Sequence, residues 1–244
     1  MISQPTKNFS DDKLSQLYSD YFGLDLLKSL SFPITNEFLL QILEGLEVKK
    51  EDLILSICGS GDQAFAMAAQ GAEVTAVDVT ENQLDYARKR IQALYPHLSL
   101  NGFSFEAFGV FNIDIINRKG LLKRLKPLRD DFFRELNLCC CLEDLSRINF
   151  ISGSIFDLDP SHYNKLYLSN AINYSIIRQI GSPKIIEGFI DKISTGTLIY
   201  NAGVHGNKFL SSTKSLLERE DLTQKAVQAR PLDWGWNVQI YEKQ

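Results

Sequence analysis

The chain is short of positive charge: 26 Lys and Arg stand against 30 Asp and Glu, a formal net charge of −4. A surface without a basic excess sets up no attractive field for a phosphate backbone, so nucleic acid is not expected as a partner. Lys119, Lys123, Arg124, Lys126 and Arg129 form a local basic patch that leaves such a partner open. No run reaches the roughly 18 apolar residues of a membrane-spanning helix. The polar opening MISQPTKNFSDDK carries no apolar signal core. A cytoplasmic location with at most peripheral membrane contact is therefore expected. Cysteine and histidine are scarce, at 4 and 3 residues. Cys139, Cys140 and Cys141 are adjacent, without the spacing of a zinc site, so no metal is expected and the triplet reads as small residues ending a packed helix. The loop G-x-x-x-x-G-K-[ST] is missing, which argues against a nucleotide triphosphatase.

What is present is an ordinary globular composition, with 44% hydrophobic and 23% charged residues in 244, enough for one well-buried core. The stretch LILSICGSGDQAFAMAAQGAEVTAVD, residues 53–78, reads as strand, glycine turn, helix and strand. Leu53–Ile57 is an uncharged apolar run, as a strand buried on both faces requires. Gly59-Ser60-Gly61 makes the turn, small residues from Ala64 let the helix approach the sheet, and Asp78 ends the second strand. This is half of a nucleotide-binding βαβ unit. Thr80 and Gln83 form a capping box for a helix over Glu81–Tyr95, which Pro96 ends.

Further strands are expected at Arg147–Ile151, Lys165–Leu168 and Thr197–Asn201, with helices at Pro183–Ile193 and Asn207–Glu220. Val227–Arg230 and Trp236–Tyr241 read as a closing hairpin. The fold class is α/β: a doubly wound, mostly parallel seven-stranded Rossmann-like sheet. Residues 1–52 form a helical preamble, with helices over Asp12–Leu30 and Asn36–Leu46. Residues 53–244 form the nucleotide-binding domain, with a phenylalanine-rich helical insert over 101–146. Tyr18, Asp20 and Tyr21 of the preamble are candidates for a surface that covers the ligand.

A dinucleotide fold asks for G-x-G-x-x-G, and here Ala64 holds the third place, so a nicotinamide or flavin cofactor stays open. The segment better resembles the S-adenosylmethionine (SAM) site of class I methyltransferases, with a G-x-G turn after strand one and an acid ending strand two. One departure is Ser56, where those enzymes carry Asp or Glu. The resemblance implies SAM as cofactor, with Gly59, Gly61 and Gln63 along the methionine part, Asp78 on the ribose, and Val79, Ser154 and Ile155 around the adenine. Asn170 and Tyr174, after the fourth strand, face the reacting end, and Asn170 also serves as a candidate for holding the methionine moiety. Of the three histidines, His205 follows the fifth strand at the ligand edge and is the candidate general base.

Three segments resemble a narrower family, the transferases of betaine-lipid synthesis that move the 3-amino-3-carboxypropyl group of SAM to diacylglycerol. Gly59-Ser60-Gly61-Asp62-Gln63 loosely matches its S-x-G-x-N turn. Asp78 to Gln83 matches its D-x-N-x-x-Q segment with Asp78 and Gln83 in place, and Ser169-Asn170 matches its S-N pair. That resemblance implies aminocarboxypropyl transfer to a lipid or small-molecule acceptor, with Gln83 counted among the cofactor-binding residues. Methyl transfer to a small molecule and a non-catalytic SAM- or nucleotide-binding module are the alternatives.

Overall fold

The computed structural model describes residues 35, 37–99, 145–173, 182–203, 208–229 and 237–244, with side chains outside 93–99. In chain order the described elements are α1 (Leu39–Leu46), β1 (Leu53–Ile57), α2 (Asp62–Ala68), β2 (Glu73–Asp78) and α3 (Glu81–Ser99). They continue with β3 (Ile148–Ser152), a 3₁₀ turn (Ile155–Asp157), β4 (Lys165–Ser169), α4 (Pro183–Asp191) and β5 (Leu198–Gly203). α5 (Lys208–Ser211), β6 (Leu216–Glu218), α6 (Glu220–Gln228) and β7 (Asn237–Lys243) complete them. The sheet has seven strands in the order β3-β2-β1-β4-β5-β7-β6. β3, β2, β1, β4 and β5 run parallel, while β7 pairs antiparallel with both β5 and β6. This is the doubly wound Rossmann-like α/β fold expected from the sequence.

Side chains alternate between the two faces of the sheet, because successive residues of a strand point to opposite sides. Ile54, Tyr167 and Tyr200 join the core under α1, α2, α3 and α6, with Leu46, Phe65, Leu84 and Ala226. Leu55, Leu166 and Ile199 face the other way, against Phe156, Ile186, Phe189 and Leu210. α1 therefore belongs to the same core as the sheet. At the amino ends of the strands, Lys165 Nζ lies 2.7 Å from Asp52 Oδ2 with both side chains buried, and Asn164 donates to Asp52 Oδ1. The opposite edge, where β1 gives way to β4 and the strand order reverses, is left for ligand chemistry.

Several elements differ from the sequence reading. α1 starts at Leu39, because Phe38 is extended and Thr35 and Glu37 bond elsewhere. α3 runs through Pro96 to Ser99: a proline removes one backbone donor, and a helix already three turns long tolerates that near its end. The span expected as one helix over Asn207–Glu220 divides into α5 and β6. Val227 lies in α6, where Leu222 and Ala226 share a buried face, and the hairpin expected there forms between β6 and β7 instead. Apolar spacing at i and i+4 wins over β propensity because α6 has α1 to pack against. The helix over Asp12–Leu30, Tyr18, Asp20, Tyr21, most of the 101–146 insert and the Cys139–Cys141 triplet lie outside the described residues.

Two helical glycines make opposite cases. A Cβ at Gly45 would sit 3.0 Å from both Ala226 Cβ and Ile240 Cδ1, so this glycine sets the close approach of α1 to α6 and β7. Nothing lies within 4 Å of a Cβ at Gly188 on the exposed side of α4. Denaturant unfolding should show Gly45→Val less stable by about 1–3 kcal/mol, from overpacking. Gly188→Ala should be more stable by about 0.5–1 kcal/mol, from helix propensity.

Candidate functional site

The turn after β1 is built from glycines in the left-handed region, Gly59 at φ 51° and Gly61 at φ 89°. A side chain at Gly61 would also meet the Phe65 ring at 2.8 Å and Ala87 Cβ at 2.9 Å. Gly61 N–H donates to Cys58 O, which closes the turn. Two side chains clamp Gly59 from the next βα unit. Asp78 Oδ2 accepts from Gly59 N–H at 3.0 Å, and Gln83 Nε2 donates to Gly59 O at 2.6 Å. Asp78 Oδ1 accepts from Thr80 N–H at 2.9 Å and so serves the start of α3. The buried side chain of Gln83, expected in a capping box with Thr80, reaches the glycine turn through Nε2. Burial pushes the Asp78 carboxyl above its ordinary range, and the Thr80 and Gly59 N–H groups partly offset this. Its oxygens each keep a lone pair at the ligand edge, half-buried beside a turn with no side chains of its own at two of three positions.

The turn is held from behind by a buried ion pair. Arg90, on α3, donates from Nη1 to Ser60 O and from Nη2 to Asp62 Oδ1, both at 2.7 Å, with side chains 2% and 0% exposed. Its guanidinium lies 5.1 Å from the Phe65 ring centroid and 5.4 Å from that of Tyr86. Asp62 Oδ2 accepts from Ser60 Oγ and from Thr35 N–H, each at 2.9 Å. Asp62 therefore ties the preamble to the turn. Two residues on, the Glu37 carboxylate reaches the end of β4. Its Oε1 accepts from Tyr167 Oη at 3.0 Å and from Ser169 Oγ. Burial raises the Glu37 carboxyl above its ordinary range, and Ser169, Tyr167 and Tyr200 hydroxyls offset this in part.

The expected site residues divide by position. Gly59, Gly61, Asp78 and the 63%-exposed Val79 meet at the carboxyl ends of β1 and β2. Gln63 is buried in the first turn of α2, and its Oε1 has no hydrogen-bond partner. Ser154 caps the 3₁₀ turn by accepting from Phe156 N–H, and it lies half-buried beyond β3. Ile155 is 3% exposed and packs into the core with Phe156. Asn170 is half-buried directly after β4. Tyr174 and His205 lie outside the described residues, and so do their expected roles. Ser56 is fully buried and its hydroxyl donates to Ile57 O, so it offers nothing to a ligand. Cys58 is buried too, and burial raises its thiol far above the ordinary range, which leaves no nucleophile there.

Sequence reasoning missed Arg90, Asp62 and Glu37. A signal for Arg90 existed: Gln83, Ala87 and Arg90 recur at helical spacing on the face of α3 that also holds Leu84. Polar residues on an apolar face announce buried partners.

Residues 55–140 match a family model described as a methyltransferase domain. The matched segment holds the glycine turn and Asp78, and the match supports a SAM-dependent transferase with SAM as its cofactor. No curated protein sequence matches the chain. Among solved structures, TrmN from Thermus thermophilus aligns at 13% identity with TM-score 0.49, over 92% of this chain and 53% of that one. This chain thus spans about half the length of that protein. An rRNA methylase from Streptococcus thermophilus aligns at 12% identity and TM-score 0.44, over 83% of this chain and 93% of its own. An RNA methyltransferase from Salinibacter ruber, in complex with S-adenosyl-L-homocysteine, aligns at 14% and 0.39, over 83% and 86%. Likeness this low carries no argument about substrate. The acceptor is not decided by them. No helix among the described residues is long and apolar enough to cross a membrane.

The buried groups give two stability predictions. Arg90→Leu leaves the Asp62 carboxylate buried without its counter-ion and should cost about 3–5 kcal/mol in denaturant unfolding. Glu37 has a folded-state pKa above its unfolded value, so its contribution to stability is present below the unfolded pKa and lost as pH rises through the folded one. Glu37→Gln should therefore raise the melting midpoint by about 2–4 °C at pH 8. The gain should vanish in acid, below the ordinary carboxylate range.

Proposed function

We propose that the protein is a SAM-dependent transferase that moves the 3-amino-3-carboxypropyl group to a lipid or small-molecule acceptor. The observation that carries the SAM reading is Asp78: a half-buried carboxylate ending β2, set against the Gly59–Gly61 turn at the edge where the strand order reverses. The residues fit the cofactor. The turn lets backbone approach a ligand, Asp78 accepts from ribose hydroxyls, and exposed Val79 offers an apolar surface to a base beside Ser154. SAM, when bound, supplies a sulfonium that activates the adjoining carbons. The chain's own residues bind and orient: Gly59, Gly61 and Gln63 along the methionine part, and Asn170 at the reacting end.

Support for aminocarboxypropyl transfer comes from the two residues that coincide with the betaine-lipid family's D-x-N-x-x-Q segment. Asp78 and Gln83 act as a pair, one on Gly59 N–H and the other on Gly59 O. The segment thus has a physical reason to keep its spacing, since both side chains shape one turn. Methyl transfer is the second reading, favoured by the methyltransferase-domain match over residues 55–140. The difference lies in which carbon beside the sulfonium faces the acceptor, and not in the fold.

Asp78→Ala should weaken SAM binding about 10- to 150-fold by calorimetry, the loss of a charged hydrogen bond worth about 1.5–3 kcal/mol. Unchanged affinity would remove the ribose assignment. Mass spectrometry of the pure protein incubated with SAM and a lipid-containing cell extract should show methylthioadenosine above a no-enzyme control. S-adenosylhomocysteine in its place would make the activity methyl transfer.

A further inference from the structure

Glu37 is a buried carboxylate at the carboxyl end of β4. With the ribose on Asp78 at the end of β2 and the base toward β3, the rest of the ligand extends across β1 to β4. Glu37 spans that junction. Thr35, two residues before it, is bonded to Asp62 after β1, and Glu37 itself is bonded to Tyr167 and Ser169 of β4.

The carboxylate is incompletely satisfied. Tyr167 and Ser169 both donate to Oε1, while Oε2 is buried with no hydrogen-bond partner. The groups that face it are hydroxyls of Tyr167, Ser169 and Tyr200, and no cation among the described residues is paired with it. A buried carboxylate without a counter-charge is costly, and the cost is met when a positive group arrives. A second observation points to the same spot. Ser169 sits at φ 49°, a left-handed backbone unusual for a residue other than glycine, at an irregularity in the β4–β5 register. That backbone carries its hydroxyl to Glu37, and strain of this kind gathers at functional sites.

We propose that Glu37 anchors the α-amino group of the SAM methionine chain through Oε2. This rests on the SAM reading of Asp78. Oε2 is out of contact with water, so the ammonium reaches it by displacing what covers it, and the buried pair that results is stronger for that exclusion.

The test compares two thioethers by calorimetry. S-adenosylhomocysteine carries the amino-acid chain, and methylthioadenosine carries the nucleoside without it. Glu37→Gln should bind S-adenosylhomocysteine about tenfold or more weakly and methylthioadenosine as the wild type does. The wild type should lose a similar factor toward an S-adenosylhomocysteine analogue without its α-amino group, a readout that needs no variant to fold. Equal loss toward both thioethers would make Glu37 a structural hub and overturn the anchor. Full retention of S-adenosylhomocysteine affinity in Glu37→Gln would overturn it as well. A wild-type protein that binds neither thioether and no SAM would instead overturn the SAM reading itself, and the anchor with it.

Discussion

The Arg90–Asp62 ion pair is the interaction on which the arrangement of the site depends. A turn of three residues with two glycines has little conformational preference of its own, since glycine is free to take many backbone angles. Here the turn is held from outside. Arg90 grips Ser60 O and Asp62 together, and Asp62 passes the constraint on to Thr35 of the preamble. Asp78 and Gln83 hold Gly59 from the other side. All of these partners stand on or beside α3 and β2, so the βαβ unit clamps its own turn. Burying two charges is expensive in itself, and hydrogen bonds from both Nη atoms with two aromatic rings against the guanidinium offset the cost. The return is a rigid turn whose backbone can be approached by a ligand.

The two edges of the sheet use buried charge differently. At the amino ends Lys165 and Asp52 neutralise each other, and burial, helped by the charge of Lys49, pulls the lysine below its ordinary range while the aspartate holds it up. That pair is closed and structural. At the carboxyl ends Asp78 and Glu37 are both raised by burial and offset by neutral donors. Carboxylates without a paired cation among the described residues make this edge suited to hydroxyl and ammonium groups. A site of this kind sacrifices some stability for binding, as functional sites commonly do.

Much of this was legible along the chain. Leu53–Ile57, the glycine turn and Glu73–Asp78 appear where the apolar runs and the turn residues put them, because strand and turn signals there are local and unopposed. The last third was read less well. Val227 has the β-branched side chain of a strand, yet Leu222 and Ala226 place it on a helix that docks against Gly45 of α1. Gln83 was expected at its own helix end and reaches back to Gly59. In each case a partner distant in sequence decided the outcome.

The sequence by itself determined the class of the fold, the position of the glycine turn and the acid that ends the second strand, because those depend on residues within a few positions of each other. Only the tertiary structure decided which polar residues meet. Glu37 and Ser169 are 132 positions apart, and Asp62 and Arg90 are 28 apart, on separate elements. No periodicity encodes such a meeting. It follows from parallel strands that end on one edge, from a preamble that crosses that edge, and from the need of every buried charge for a partner.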